Sequence, residues 1–292
     1  MNTRINGHTK IYGVIGYPIS HSLSPEIHNS IFDKNQENSI YIPLAVSPEE
    51  LARTIPLLKN NFQGFNITIP HKETIISYLD EMDERAQWYG AVNTVKIIEG
   101  KMIGYNTDGY GFVKSLLEAG IDLKGRKVLL IGAGGAARVA AHEILLLGGK
   151  LTIANRNTEK AERLKNVLIG NVGIQEIEIR SLDQLEKGFD CVINATPLGM
   201  GPWCEEMPMK EEVLRGTAFV YDMIYNPYET KLLLQGKQYG CKTQNGLPML
   251  FYQAVKAQEI WTGKVLKEEI LYFLYKEIEK YFLEKIKQGT GE

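Results

Sequence analysis

Residues 128–137 read Val-Leu-Leu-Ile-Gly-Ala-Gly-Gly-Ala-Ala, an apolar run that enters a glycine-rich turn without a polar break. Such a run is a strand buried on both faces. The turn has the form Gly-x-Gly-x-x-Ala and opens a helix expected over Gly135 to Leu147. This is a dinucleotide fingerprint. Gly132 permits the tight turn, Gly134 lets the backbone approach a pyrophosphate, and the small Ala137 brings helix and strand together. Ala133, Gly135 and Ala136 complete the loop at the helix start, where N–H groups face the phosphates. The strand before it and the helix after it separate the match from an ordinary glycine turn.

On the carboxyl side the alternation continues with a strand at Leu151 to Ala154 and a helix at Thr158 to Val167. Further strands are expected at Ile174 to Ile179, Cys191 to Asn194 and Phe219 to Asp222. Repeated βα units pack as a parallel sheet with helices on both faces, because the crossovers are right-handed. On the amino side the pattern is more mixed. Strands are expected at Ile11 to Ile15, Tyr41 to Val46 and Gly64 to Ile69, the last stopped by Pro70. Ser24-Pro25 reads as an N-cap with proline at the first helical position of a helix reaching Phe32, and Ser47-Pro48-Glu49-Glu50 opens another. Thr94 to Ile98 and Met102 to Tyr105 flank a turn at 99–101 and form a hairpin. Asp108 reads as the N-cap of a helix to Leu117, and after Asn245-Gly246 the chain is helical to its end. The fold class is therefore α/β in two domains. Residues 1–108, completed by helices at 245–292 that return to it, enclose a Rossmann-type doubly wound parallel sheet at 109–244.

The 292 residues carry 33 basic and 35 acidic side chains, a net charge of −2, which argues against a nucleic-acid surface and favours a small-molecule partner. No uncharged apolar stretch of about 18 residues offers a membrane span. Met1 to Ile15 does not read as a secretory signal. Three cysteines at wide spacing suit reduced thiols in a cytoplasmic protein. With five histidines and no Cys-x-x-Cys pair, no metal site is expected. A homodimer is left open, since a two-fold interface is not distinguishable in sequence from ordinary exposed apolar residues.

About 20 residues past its fingerprint, an NAD site places an acid on the ribose hydroxyl. Here the second strand ends in Asn155-Arg156, with Lys160 beyond. A guanidinium donates bidentately to a 2′-phosphate that a carboxylate would repel, so NADP is expected over NAD. The alternative is a pair of solvated cations at a helix start. In the first domain, polar residues cluster at element ends: Ser22 with Ser24, Thr68 with Lys72, and Asn93 with Asn106 and Asp108. On the residues alone, Lys72 reads as a solvated lysine and Asp108 as a cap, with a proton-transfer pair as the alternative.

Nine segments in order carry a resemblance. They include Gly16-Tyr17-Pro18 through His21-Ser22-Leu23-Ser24-Pro25, Asn66-Ile67-Thr68-Ile69-Pro70-His71-Lys72, Gly90-Ala91-Val92-Asn93-Thr94 and Gly104-Tyr105-Asn106-Thr107-Asp108-Gly109. The series continues with the glycine turn, Asn155-Arg156, Asn194-Ala195-Thr196-Pro197-Leu198-Gly199-Met200, Asp222-Met223-Ile224-Tyr225-Asn226-Pro227 and Gly246-Leu247-Pro248-Met249-Leu250 with Gln253. Over nearly its whole length the chain resembles the shikimate/quinate dehydrogenase family. The resemblance implies a substrate domain followed by an NADP domain, and reversible NADPH-dependent reduction of 3-dehydroshikimate to shikimate in aromatic amino acid biosynthesis. It also implies Lys72 as the acid/base, Asp108 as its partner, and Ser22, Ser24, Thr68, Asn93, Tyr225 and Gln253 as substrate ligands. Thr196 and Met223 would flank the nicotinamide, with Gly246 allowing close approach. The family commonly reads Asn-Arg-Thr with a later Arg at the adenosine loop, whereas this chain has Asn155-Arg156-Asn157 with Lys160. Two alternatives remain open: a relative that also uses quinate or NAD, and a non-catalytic NADP(H)-sensing protein.

Overall fold

The computed structural model describes residues 5–173 and 176–289. The chain divides into two compact units, the stretch up to Thr107 together with that from Phe251 onward, and Asp108–Leu250. Asp108 and residues 245–250 thus fall in the second unit.

The first unit begins with β1 (Lys10–Gly16), α1 (Ser24–Lys34), β2 (Ser39–Ala45), α2 (Leu51–Asn61) and β3 (Phe62–Ile67). It continues with β4 (Glu81–Met82), α3 (Glu84–Tyr89), β5 (Thr94–Ile98) and β6 (Lys101–Tyr105). Its six-stranded sheet has the order β2-β1-β3-β5-β6-β4, with β1 parallel to both its neighbours and β5 antiparallel to β3 and β6. The hairpin turns on Glu99 and Gly100, both at positive φ (50° and 75°), so its two-residue loop matches the right-handed strand twist. The expected cap of α1 is corrected. Leu23 is the N-cap, and the backbone N–H of Ser24 donates to Ser22 Oγ at 3.2 Å, so Ser24 lies inside the first turn. β3 runs two residues earlier than expected and leaves Thr68 beyond its end.

The second unit holds α4 (Asp108–Glu118), β7 (Lys127–Ile131), α5 (Gly135–Leu146), β8 (Lys150–Ala154), α6 (Thr158–Val172) and β9 (Ile177–Arg180). There follow β10 (Cys191–Asn194), β11 (Phe219–Asp222), α7 (Lys231–Gln238) and β12 (Lys242–Gln244). All pairings are parallel, in the order β12-β11-β10-β7-β8-β9. That is the dinucleotide-binding order, with its reversal between β7 and β10. Alternate residues of the central strands feed two cores. Val128, Leu130, Ile153 and Ile193 pack under α5 and α6, while Leu129, Ile131, Val192 and Val220 pack against Leu232 and Leu233 of α7. Asp108 is the first residue of α4 rather than a residue before it. α6 runs past Val167 to Val172, where Gly173 at φ 75° closes it. Ile174 and Gln175, the expected start of β9, lie outside the described residues.

The chain ends in α8 (Leu247–Thr262) and α9 (Glu268–Gly289). From Phe251 onward these helices belong to the first unit, where Trp261 packs with Tyr12, Val14, Phe32 and Tyr41. Its indole N–H donates to Val95 O at 2.9 Å, and a Cβ on Gly64 would lie 2.3 Å from that nitrogen. Leu271, Leu274, Ile278 and Phe282 of α9 are buried in turn. Among the described residues, no helix is long and apolar enough to cross a membrane.

Candidate active site

The first unit gathers its polar residues into one connected network. Asn93, 3% exposed just before β5, accepts at Oδ1 from the Thr107 N–H (2.8 Å) and the Thr94 hydroxyl (2.9 Å). Those bonds settle which way its amide points. Asn93 Nδ2 therefore faces Thr107 Oγ1 at 3.0 Å and Gln253 Oε1, from α8, at 3.4 Å. Behind them, Asn66 donates to Thr94 Oγ1 at 2.9 Å and accepts the Tyr41 hydroxyl at 2.7 Å. A buried network of this kind is useful only when every member is paired, and then it holds hydroxyl and amide groups in fixed orientations. Asn106 serves the backbone instead, donating to Ala91 O at 2.8 Å.

Around Pro70 the main chain is pinned on both sides. Thr68 N–H donates to Ile15 O (3.0 Å), His71 N–H to Thr68 O (2.9 Å), and the Lys72 carbonyl accepts from Val92 N–H (2.8 Å). The buried His71 ring meets Val46 O at 2.7 Å. Lys72 and Thr68 are half-buried on this segment, and Lys72 is not the freely solvated lysine that its residue type suggests. Ser22 is half-buried and Ser24 buried in the turn that starts α1. Asp108 belongs to the other unit.

In the second unit, Gly132 sits at φ 115°, and a Cβ there would lie 3.1 Å from Ala195 O. Only glycine fits. Gly134 and Gly135 differ, for a Cβ on either would meet open space within 4 Å. A bare backbone at the start of α5 next to open space is the cradle that a pyrophosphate requires. Gly134 is the N-cap of α5, and with no side chain it leaves the first donors of that helix uncapped. At the end of β8, Asn157 caps α6 by accepting from Lys160 N–H at 3.1 Å, and Asn155 Nδ2 donates to Asn157 O at 2.8 Å. This fixes the loop and leaves Arg156 and Lys160 exposed beside a helix N-terminus. No acid stands at the end of β8, so the residues present fit a phosphorylated ribose.

The ends of β10 and β11 lie in register, Asn194 beside Asp222. Asn194 Oδ1 accepts from the Thr196 hydroxyl (2.7 Å) and N–H (3.0 Å), and Asn194 O accepts from Met223 N–H at 3.0 Å. Asp222 is completely buried, and burial raises its carboxyl to about 6 although Thr230, Ile224 and Asn194 all donate to it. Tyr225 is half-buried two residues beyond Met223. At Gly246 a Cβ would fall 2.0 Å from Met223 O, so the close approach made there is by this chain's own backbone. Sequence reading passed over Thr107 and Asp222. Both stand inside segments whose neighbours were singled out, and a polar residue at the end of a buried strand or hairpin was the available signal. No group of three or more His, Cys, Asp and Glu among the described residues could hold a metal ion.

Residues 14–95 match the family model of the shikimate dehydrogenase substrate binding domain, and residues 113–203 that of shikimate / quinate 5-dehydrogenase. The shikimate dehydrogenase (NADP(+)) of Carboxydothermus hydrogenoformans is 46% identical over 275 residues, 91% of this chain and 98% of that one. A shikimate dehydrogenase solved in complex with NADP+ superposes with a TM-score of 0.89 at 43% identity, covering 94% of this chain and 97% of its own. The Listeria monocytogenes shikimate 5-dehydrogenase, solved with shikimate and NAD, gives a TM-score of 0.86 at 34% identity, with 97% and 99% covered.

Proposed function

Because the chain belongs to the shikimate dehydrogenase family, we propose that it catalyses the reversible NADPH-dependent reduction of 3-dehydroshikimate to shikimate, with Lys72 as the acid/base and Asp108 as its partner. The observation that carries the reading is a 46% identity running through both units to an NADP-dependent shikimate dehydrogenase.

Gly132, Ala133, Gly134, Gly135 and Ala136 would hold the pyrophosphate, Asn155, Arg156 and Lys160 the adenosine phosphate, and Thr196, Met223 and Gly246 the nicotinamide end. When bound, NADPH supplies a hydride. The protein supplies orientation and a proton. Ser22, Ser24, Thr68, Asn93, Tyr225 and Gln253 bind the substrate's carboxylate and hydroxyls. Convergent amide and hydroxyl groups would be left unpaired by a ligand lacking those oxygens, and that is the source of selectivity. The fixed amide of Asn93 supports this role, since its orientation is set before a ligand arrives. The Lys72 ammonium gives its proton to the carbonyl oxygen of 3-dehydroshikimate, and Asp108 orients the ammonium. In the reverse direction Lys72 takes the proton back from the shikimate hydroxyl.

The same reading places the protein in the cytoplasm, and the free thiols of Cys191, Cys204 and Cys241 support it. A second reading, use of quinate or NAD as well, is favoured for quinate by the shikimate / quinate description of the matching family and for NAD by the Listeria monocytogenes relative solved with shikimate and NAD. Absorbance of NADPH, followed as protein meets shikimate with NADP+, tests the proposal, with quinate and NAD+ in parallel. Strong NADPH formation with shikimate, reduced by roughly 10²–10⁴-fold in Lys72→Ala, is the expected result. Comparable rates with quinate or NAD+ would favour the broader reading. Silence of every pair while NADPH still binds would leave a sensor.

A further inference from the structure

The geometry points to Asp222 as the positioning residue of the nicotinamide site, a buried carboxylate that holds Thr196 and Met223 in place through hydrogen bonds; this rests on the cofactor placement proposed above. Neither the family comparison nor the glycine fingerprint assigns it a role.

Asp222 ends β11 at 0% exposure. Its Oδ1 accepts from Asn194 Nδ2 at 3.0 Å and from Ile224 N–H at 3.1 Å, and its Oδ2 from the Thr230 hydroxyl at 2.7 Å. Three donors from three segments thus converge on one group. Asn194, so oriented, turns its Oδ1 to the Thr196 N–H and hydroxyl, while its main-chain oxygen takes Met223 N–H. Its Nδ2 also donates to Leu198 O at 3.1 Å, and Leu198 N–H donates to Thr196 Oγ1 at 3.3 Å. Ile224, through its oxygen, accepts from Gly246 N–H at 2.9 Å. Thr196, Met223 and Gly246 are therefore each two hydrogen bonds from the same carboxylate.

An amide would not do the same work. Asparagine that still accepts from Asn194 and Ile224 would turn its N–H to Thr230 Oγ1, and the Thr230 O–H, which donates to Asp222 Oδ2 while Oγ1 caps α7, would lose its acceptor. Asn194 of β10, the Ile224 N–H and Thr230 before α7 donate to Asp222, while Tyr221, its neighbour in β11, packs on the other face of the sheet with Phe112. The Tyr221 phenol is kept neutral by burial and paired with Ser115 Oγ at 2.7 Å. Charge-assisted bonds in such surroundings are stronger than neutral ones, and they disappear when the carboxyl takes a proton. Burial sets that point at about 6.

The test is titration calorimetry of NADP+ into the full chain at pH 8 and pH 5, for wild type, Asp222→Asn, Thr230→Val and Thr230→Ser. At pH 8, Asp222→Asn should bind NADP+ about tenfold more weakly than wild type. At pH 5 the ratio should fall to about twofold or less, as the wild-type carboxyl becomes neutral. Because it is a ratio at each pH, titration of the cofactor's own phosphate cancels. Thr230→Val should follow Asp222→Asn, and Thr230→Ser should restore binding; that pair decides the matter should Asp222→Asn fail to fold. Equal binding by Asp222→Asn and wild type at pH 8 would overturn the proposal, as would a deficit equally large at both pH values. Absence of NADP+ binding by wild type would overturn the cofactor placement and this proposal with it.

Discussion

Two buried titratable residues, one in each unit, make opposite contributions to stability. His28 is fully buried, its ring stacked on Tyr41 with centroids 4.2 Å apart and Gln258 Nε2 3.1 Å from Nδ1. Burial pushes its pKa down to about 3. The native ring stays neutral while the unfolded chain protonates near pH 6.5, so its stabilising effect is present above that pH and is lost as the solution is acidified toward 3. From pH 6.5 to 5 the loss is roughly 2 kcal/mol. Asp222 works the other way. Its folded value of about 6 lies above the unfolded 3.8, so its contribution is largest in acid and is lost as pH rises through 6. We expect His28→Gln to have a flatter urea-midpoint profile between pH 7.5 and 5 than wild type. A stability gap that is the same at both pH values would count against this account of His28. Its role is not legible in sequence, because nothing in a single histidine says whether it will be buried.

Where strands and helices end, the backbone has the tightest tolerances. Gly246 is held with its N–H on Ile224 O, and the 2.0 Å that would separate a Cβ there from Met223 O leaves no room for a methyl group. Gly246→Ala should cost about 3 kcal/mol or more and weaken NADP+ binding with it, measurable by urea denaturation and by calorimetry. The segments that sequence identified well, β7, α5, β10 and β11, are buried on both sides and read as apolar runs between punctuating glycines. The ones it missed lack that contrast. β12 is Lys242-Thr243-Gln244, a short edge strand with no buried apolar face. α7 carries Gly236, whose hydrogen lies against Val220 and Thr243 and lets the helix approach the sheet; out of context the same glycine reads as a break. α3 has six residues, too few to show a period. Of the candidate site, the glycine turn before α5 and the exposed cations Arg156 and Lys160 beside α6 were legible, since each is read from neighbouring residues alone. The network joining Asn93, Thr107 and Gln253 was not, because Asn93 and Gln253 are 160 residues apart in sequence and meet only in the folded unit.

The first unit is built from both ends of the sequence. Trp261 closes one face of its sheet, with ring centroids 4.9 Å from Tyr12 and 5.2 Å from His28 and its indole N–H on Val95 O. Replacing it by alanine should cost about 3–5 kcal/mol. The loss should be local. Amides of β1 and β3 are expected to exchange with solvent deuterium faster in Trp261→Ala, while those of β7 and β10 keep wild-type protection; acceleration in both sheets would mean that the helix supports more than its own unit. Synthesis on the ribosome gives this interleaving a temporal side. Strands β1 to β6 leave the exit tunnel first, and the whole of Asp108–Leu250 must follow before Trp261 exists. At ordinary elongation speeds that is a wait of roughly 10–30 s, during which Tyr12, Val14 and Tyr41 have no tryptophan to pack against. The nascent first unit is thus a half-finished sheet with one oily face turned to water until the second unit has been translated. A slow stretch of codons beyond residue 250 would lengthen that exposure, and a chaperone that shelters greasy strands early in translation would shorten its consequences.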